Sequence, residues 1–240
     1  MSRRLALPAL VTALGVAILL GLGGWQWQRL GEKQALIATI AERTKRTPVP
    51  FPAPAEWPGL KAQAISYLPV TLTGTFDHGR EAHVFFALAK PKNGLSGPGY
   101  LVITPLMLAG GGTVLVNRGF VPAERKDATH RAAGNGAVPA TLTGLIRLPE
   151  ARGAFSGADD PVKNIFYVRD PAALAAARGV GPVAPVIVDL TGPEPAGGLP
   201  MPGATQIEIP NNHLGYALTW WSLAGALAVI FGLFARARPD

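Results

Sequence analysis

One run of the sequence limits what this chain can fold into: residues 214–235 contain no Asp, Glu, Lys or Arg. As an α-helix the run is roughly 33 Å long, which is enough to cross a hydrocarbon core of roughly 30 Å. Arg236 and Arg238 follow the run, and His213 directly precedes it. The sequence therefore predicts a transmembrane helix over residues 213–235 with a histidine at its entrance.

A second charge-free run, residues 5–28, lies near the start of the chain and follows Arg3 and Arg4. It is longer than the apolar stretch of about 7–15 residues in a signal peptide, and no A-x-A cleavage site follows it. It leads instead into the aromatic segment from Trp25 to Arg29, a pattern typical of a membrane interface. We interpret residues 5–27 as an uncleaved transmembrane anchor.

The arginines at the two ends predict the orientation of the chain in a membrane. Basic residues that flank a membrane helix favour the cytoplasmic side. Both tails, residues 1–4 and 236–240, are therefore expected in the cytoplasm, and everything between the helices outside it. A location outside the cytoplasm argues against nucleic acid as a partner, although the chain carries a net charge of +7.

The residues between the two helices divide into three predicted parts. Residues 28–46 have apolar side chains at helical spacing and predict a helical stalk. Residues 47–66 predict a proline-rich linker, since four prolines at alternate positions favour an extended chain and exclude a helix there. Residues 67–210 form the main domain, which is long enough to bury its own core.

Apolar residues alternate with polar ones through most of this domain, which is typical of half-buried strands. Asp170 followed by Pro171 predicts the start of a short helix, and residues 91–98 and 124–136 predict loops. The predicted strands cover residues 67–75, 81–88, 100–106, 113–120, 141–147, 164–169 and 186–190. We predict an α+β membrane protein, in which two transmembrane helices flank an antiparallel-β-rich or barrel-like extracytoplasmic domain with short helices.

Several classes of function lack the residues that they need. The chain has no cysteine, which excludes disulfides, thiolate metal sites and C-x-x-C-H haem attachment. It has no G-x-S-x-G or H-E-x-x-H motif, so an extracytoplasmic hydrolase has no support and we predict that the protein is not an enzyme. His78 and His83 flank one turn and could chelate a metal as a pair, but no third ligand is evident.

His213 is the strongest functional candidate, because a histidine where a helix enters lipid must find a proton, a partner or a metal. Tyr216 and Trp220 share its helical face at spacings of three and seven. An imidazole flanked by aromatic rings can be an axial ligand of a flat apolar macrocycle such as haem. Alternatively, His213 caps the helix or bonds a neighbouring asparagine, and the aromatic residues form an interfacial belt.

Arg118 allows two interpretations. It lies between Val116 and Phe120 in a predicted strand, where alternation can turn its side chain to solvent. The alternative is that this basic side chain binds a haem propionate or an acidic partner surface. The sequence leaves both open.

Motifs in order along nearly the whole chain resemble the surfeit-locus protein one family of cytochrome c oxidase assembly factors. The longest is V-L-V-N-R-G-F-V-P at residues 114–122. The others are W-Q-W-Q-R at 25–29, Y-L-P-V at 67–70, G-T-F-D-H at 74–78, G-Y-L-V-I-T-P at 99–105, Y-V-R-D at 167–170 and N-H-L at 212–214.

The resemblance implies a non-catalytic assembly factor for haem–copper oxidases that acts while haem a enters subunit I. It makes His213 the proposed haem ligand, with Trp220 and Tyr216 near the same site. It implies oxidase subunit I, haem a synthase and the lipid bilayer as partners. A start at Met-Ser-Arg-Arg, without a transit segment, favours a bacterial inner (plasma) membrane and a periplasmic main domain.

The resemblance also leaves an alternative function open, a haem-free scaffold that stabilises oxidase subunit I during assembly. Under that hypothesis the central motif matters more than His213. Arg118 and Gly119 of that motif, and Trp25 and Arg29 of the first motif, are therefore further functional candidates.

Overall fold

The structure, a computed structural model, describes residues 3–136, 140–205 and 211–237. The chain divides into two compact units. The helix unit holds Met1–Ala41 and Glu208–Asp240, and the sheet unit holds Glu42–Ile207. Residues 206–209, which were expected to lead back to the membrane, and Arg238 of the C-terminal tail lie outside the described residues.

The described residues of the two units form four α-helices and seven strands. The helices are α1 (Arg3–Arg43), α2 (Ala62–Ile65), α3 (Pro171–Ala177) and α4 (His213–Arg236). The strands are β1 (Val49–Pro50), β2 (Pro69–Phe76), β3 (Ala82–Lys92), β4 (Leu95–Leu108), β5 (Thr113–Pro122), β6 (Ala140–Arg147) and β7 (Val183–Gly192). The α+β class predicted from the sequence is confirmed.

Helices α1 and α4 form the helix unit, and both are long and apolar enough to cross a membrane, judged by length and composition alone. The mean hydropathy of their most apolar segments is 2.4 for α1 and 1.8 for α4. Helix α1 continues without a break through residues 28–43, so the expected anchor and stalk are one helix. Helix α4 begins at His213, which is therefore part of the helix rather than of the segment before it.

The seven strands form one sheet in the order β1-β2-β6-β7-β5-β4-β3. The end of β2 also pairs with β4, which closes strands β2, β6, β7, β5 and β4 into a ring and gives the barrel-like character. The domain expected to be antiparallel-β-rich has a mixed sheet, in which most described pairings are antiparallel but β1–β2 and β5–β7 are parallel. The long connection through β6 and α3 gives β7 the crossover that a parallel neighbour of β5 requires.

Two buried apolar clusters lie on the opposite faces of β5. Successive side chains of a strand point to opposite faces, so Leu115 joins one cluster while Val114 and Val116 join the other. Leu174 of α3 covers the first cluster, and Phe51 and Trp57 pack against the second. Both faces of β5 are therefore buried, and its polar residues have to find partners inside the protein.

The prediction of a loop over residues 91–98 was wrong. Strand β3 ends at Lys92 and β4 begins at Leu95, so Asn93 and Gly94 alone form the turn of a β-hairpin. Both have positive φ, +49° and +76°, as a two-residue hairpin turn requires. Pro91 lies in an edge strand, where the missing N–H is tolerated, so the prolines misled the prediction.

Three other segments differ in detail from the expectation. Residues 164–169 make isolated bridges, including Val84 with Phe166, instead of a strand. The expected linker contains β1, a 3-10 turn at Pro54–Gly59 and α2, and packs on the core. The polar loop over 124–136 contains 3-10 turns and the buried side chain of Arg131. Helix α3 is confirmed, with Asp170 Oδ1 accepting from Ala172 N at 2.9 Å.

Candidate functional site

His213 meets one polar side chain of α1 within the helix unit. Its Nδ1 lies 2.7 Å from Oε1 of Gln26. An amide oxygen only accepts hydrogen bonds, so Nδ1 carries the proton and donates it, which leaves the lone pair of the neutral ring on Nε2. Among the described residues, Nε2 of His213 has no hydrogen-bond partner. The ring is thus oriented by one nitrogen and available for ligation through the other.

Small residues bring the two helices of this unit close together near the pair. Gly23 of α1 packs directly against the indole of Trp221, which a Cβ at residue 23 would strike. The rings of Trp27 and Trp221 lie with their centroids 5.8 Å apart. Ala217 of α4 is fully buried. Close approach at small residues is typical of helices that pack in membranes, and here it puts Gln26 within reach of His213.

The other residues predicted for this site do not take part in the hydrogen bond between His213 and Gln26. Tyr216 is 56% exposed and Trp220 is half-buried on α4. Trp25 is 53% exposed, and Arg29 forms an exposed ion pair with Glu32 at 2.7 Å. Neither asparagine before His213 takes its hydrogen bond, since its partner is Gln26.

Sequence reasoning missed Gln26 and Trp221. The available signal for Gln26 was an amide inside a charge-free apolar run, which is a functional or packing site by default. For Trp221 the signal was weaker, because one tryptophan in a pair gives no indication of which ring faces the neighbouring helix.

Arg118 is buried in the sheet unit, 5% exposed, so the interpretation in which it faces solvent was wrong. Its Nη1 donates to Nδ1 of His78 at 3.0 Å and to Oδ1 of Asn135 at 2.9 Å, and its Nη2 donates to the carbonyl of Gly134 at 2.5 Å. The guanidinium also lies over the ring of Phe76, 5.2 Å from the centroid. Burial lowers the pKa of Arg118 to about 10, so the group is still charged at neutral pH.

A β-bulge interrupts β5 at Arg118 and Gly119. Leu101 pairs with Phe120 and Ile103 with Asn117, so Arg118 and Gly119 together oppose a single residue of β4. Gly119 has φ +128°, and a Cβ there would collide with the carbonyl of Met201. The extra residue breaks the strict alternation of the strand beyond Arg118, and Arg118 is buried because both faces of β5 are covered.

His78 and His83 lie in separate networks rather than in one metal site. His78 bonds Arg118, whereas Nε2 of the buried His83 lies 3.0 Å from Oε1 of Glu81, which also accepts from Arg131. Burial raises the pKa of Glu81, but the hydrogen bonds from His83 and Arg131 outweigh it and leave that pKa lowered. Within residues 3–136, 140–205 and 211–237 no group of three His, Asp or Glu side chains could hold a metal ion.

Arg169, from the Y-V-R-D motif, lies in a third network, in which its charge is paired. Its Nη1 is 3.3 Å from both carboxylate oxygens of Asp189, and its Nε donates to Glu150 at 3.0 Å. Asp189 also accepts from Asn117 and Thr205, each at 2.8 Å. Nε of Arg147 also lies 3.6 Å from Oδ2 of Asp189, so two arginines meet two carboxylates in the described part of this network. It is therefore a structural element of the sheet.

These observations define a class: an α+β protein whose mixed sheet lies in sequence between two terminal helices apolar enough to cross a membrane. The chain belongs to the SURF1 family, whose sequence model matches residues 13–225.

Named relatives cover most of the chain. Surfeit locus protein 1 of Mus musculus is 33% identical over 230 residues, which is 91% of this chain and 73% of the relative. The Homo sapiens protein of the same name is 33% identical over 231 residues, 91% of this chain and 75% of its own length. A SURF1-like protein of Monosiga brevicollis is 35% identical over 230 residues, 91% of this chain and 83% of the relative.

Proposed function

We propose that this protein is a membrane-anchored assembly factor for haem–copper (cytochrome c) oxidase, which binds haem a through His213 and assists its insertion into subunit I. Membership of the SURF1 family and the two apolar terminal helices support the proposal. The observation that carries the haem assignment is the hydrogen bond from His213 Nδ1 to Gln26. A histidine that binds a metal through one ring nitrogen usually donates a hydrogen bond from the other.

In this proposal the residues of the helix unit have separate roles in binding haem. Gln26 fixes the tautomer and the plane of the His213 ring, and Nε2 supplies the electron pair to the iron. Trp220 and Tyr216 supply apolar surface for a flat macrocycle near the same end of α4. The protein holds the haem as cargo and catalyses no reaction.

The proposed setting follows from the charges at the ends of the chain. In this proposal both termini lie in the cytoplasm of a bacterial cell and the sheet unit lies in the periplasm, because Arg3 and Arg4 at the start of α1 and Arg236 at the end of α4 favour the cytoplasmic side. Haem a synthase is then the proposed donor of the haem, and subunit I the proposed acceptor. The lipid bilayer surrounds α1 and α4.

The test is the absorption spectrum of the full chain purified from cells that make haem a. The proposal expects a Soret band that copurifies with the protein and disappears in His213→Ala. His130→Ala is the matched control, because His130 is an exposed histidine of the sheet unit. A His213→Ala protein that retains its haem would show that the ligand is elsewhere.

The sheet unit supports a second candidate function, a haem-free scaffold that stabilises subunit I. The observation in its favour is that the central motif builds a bulge with buried polar partners. Oxidase activity in a strain that lacks the protein, complemented with variants, separates the two. The scaffold predicts that His213→Ala restores activity while Arg118→Ala and Gly119→Glu do not, whereas the haem proposal predicts that His213→Ala fails.

A further inference from the structure

A cavity of about 410 Å³ lies beside Arg118 in the sheet unit. This volume is within the range of about 300–1,000 Å³ that is usual for small-molecule sites. Its walls are mostly apolar, from Phe76 of β2, Leu142 of β6, Leu190 of β7 and Pro195 of the following loop. Arg118 and Glu194 are the charged residues that line it. A cavity with apolar walls and one buried cation is suited to an amphiphilic anion.

The charge of Arg118 has no anionic partner in the described part of the chain. Its acceptors are an imidazole nitrogen, an amide oxygen and a backbone carbonyl, all of them neutral. No carboxylate of residues 3–136, 140–205 or 211–237 forms an ion pair with it. Glu81 raises the pKa of Arg118 through its charge, but this carboxylate is itself bonded to Arg131 and His83. A buried cation without an anion costs free energy that a ligand anion would recover.

The Arg118 guanidinium also has N–H groups that no described residue accepts from. Two N–H groups of Nη1 and one of Nη2 are used, which leaves Nε and one N–H of Nη2 without an acceptor among the described residues. A carboxylate can accept two such N–H groups at once, and this charge-assisted geometry is the strongest that arginine makes.

Glu194 restricts the kind of anion. It lines the same cavity, and the hydrogen bond that its Oε1 accepts from Asn93 at 2.6 Å holds the side chain there. One positive and one negative side chain favour a monoanion over a dianion such as a phosphate monoester, which Glu194 would repel. The apolar walls favour an organic body over a small inorganic ion.

We propose that the cavity beside Arg118 binds an organic monocarboxylate, with the carboxylate on the Arg118 guanidinium and the apolar body against Phe76 and Leu142. Such a group can come from a free organic acid or from a glutamate between apolar residues of a partner protein. The proposal is independent of haem binding, since every residue that carries it lies in the sheet unit and none is His213.

The experiment is calorimetric titration of the full chain in lipid nanodiscs, with empty nanodiscs as the blank. Phenylacetate is the free-acid probe, and a capped leucine–glutamate–leucine peptide is the partner-borne probe. Three comparison ligands each change one property: 2-phenylethanol lacks the charge, acetate lacks the apolar body, and phenyl phosphate is a dianion. We expect at least one probe to bind, and phenylacetate to exceed the comparison ligands about tenfold if the source is a free acid.

Four variants test the geometry. Arg118→Met should weaken the bound probe about tenfold or more, whereas Arg125→Met, which removes an exposed arginine outside the cavity, should leave binding unchanged. Ala196→Trp, an exposed position on the cavity wall, should block the site without touching Arg118. Glu194→Gln should strengthen binding and admit phenyl phosphate.

Several results would overturn the proposal: no binding of either probe, binding that survives Arg118→Met, or equal binding of 2-phenylethanol and phenylacetate. If Arg118→Met does not fold, Ala196→Trp and Glu194→Gln decide the question. Unchanged probe affinity in both of these variants would then contradict the proposed site.

Discussion

Arg118 and Arg169 are both buried in the sheet unit, but their surroundings differ in one respect that separates structure from function. Burial alone would lower the pKa of Arg169, but the charge of Asp189 and the hydrogen bond of Glu150 raise it above its ordinary value. Burial lowers the pKa of Arg118 to about 10, since its hydrogen-bond acceptors are neutral. Arg169 therefore stabilises the sheet, whereas Arg118 keeps an unbalanced charge at a cavity.

The same distinction applies to the helix unit. His213 has one ring nitrogen satisfied by Gln26 and one with no partner in the described residues. A polar group that is positioned by the protein but incompletely paired is where binding can occur. We therefore expect substitutions in balanced networks to affect stability, and substitutions at the incompletely paired groups to affect binding.

The largest expected effect is that of Arg169→Met. Removal of one partner of a buried ion pair leaves Asp189 undercompensated, and such changes typically cost about 3–5 kcal/mol of the free energy of unfolding. Arg152→Met is the control, because its ion pair with Asp159 is partly exposed and should be worth less than about 1 kcal/mol. Urea unfolding of the full chain in detergent, followed by circular dichroism, measures both. Equal losses would mean that the Arg169 network is not the structural element we describe.

Gly119→Ala should come next, with a loss of about 2 kcal/mol or more, because it combines strain at positive φ with a clash against the Met201 carbonyl. Gly110→Ala is a matched glycine change with open space around the new Cβ, and it should be nearly neutral. The same unfolding measurement applies. A stable Gly119→Ala protein would contradict the bulge geometry at Gly119.

Gln26→Leu tests the incompletely paired histidine. Loss of the group that accepts a hydrogen bond from a metal-binding histidine typically weakens metal binding about 10–100-fold. We therefore expect haem affinity to fall by that factor, while the Soret band is still obtained at high haem concentration. Gln28→Leu removes an exposed amide of the same helix and should change nothing. Haem titration followed by absorbance gives both affinities. If the two variants behave alike, Gln26 does not orient His213.

The smallest expected effect is a pH dependence at His78. Burial, and then the charge of Arg118, lower the pKa of His78 below its ordinary value of 6.5. The unfolded chain then takes up the proton first, so the free energy of unfolding should fall as the pH drops below about 6.5 towards the folded pKa. His78→Gln, which keeps an acceptor for Arg118, should flatten that part of the profile. His130→Gln should leave it as it is, and a wild-type profile that rises towards pH 5.5 would contradict the assignment.

Much of the fold was predictable because its signals are local. Charge-free runs indicated α1 and α4, and Asp170 before Pro171 indicated α3. The hairpin at Asn93 and Gly94 also had a local signal, which the surrounding prolines obscured. The parallel pairing of β5 with β7 had none, since it depends on how distant segments cross.

Only part of each candidate site could be predicted, because the sequence shows local signals but not the contacts between distant segments. A histidine at the entrance of an apolar helix is visible in the sequence, but its partner Gln26 is 187 residues away and depends on the packing at Gly23. Arg118 was visible as a charge in a strand, whereas its burial depends on the covering of both faces of β5, which strand alternation does not reveal.

The most direct test of the central claim, ligation of haem by His213 through Nε2, is an imidazole titration of the His213→Gly protein. The variant removes the ring but leaves room for a free imidazole to replace it. We predict that His213→Gly purified from cells making haem a lacks the Soret band of the wild type, and that added haem with imidazole restores it. A His213→Gly protein with the wild-type spectrum in the absence of imidazole would contradict the account.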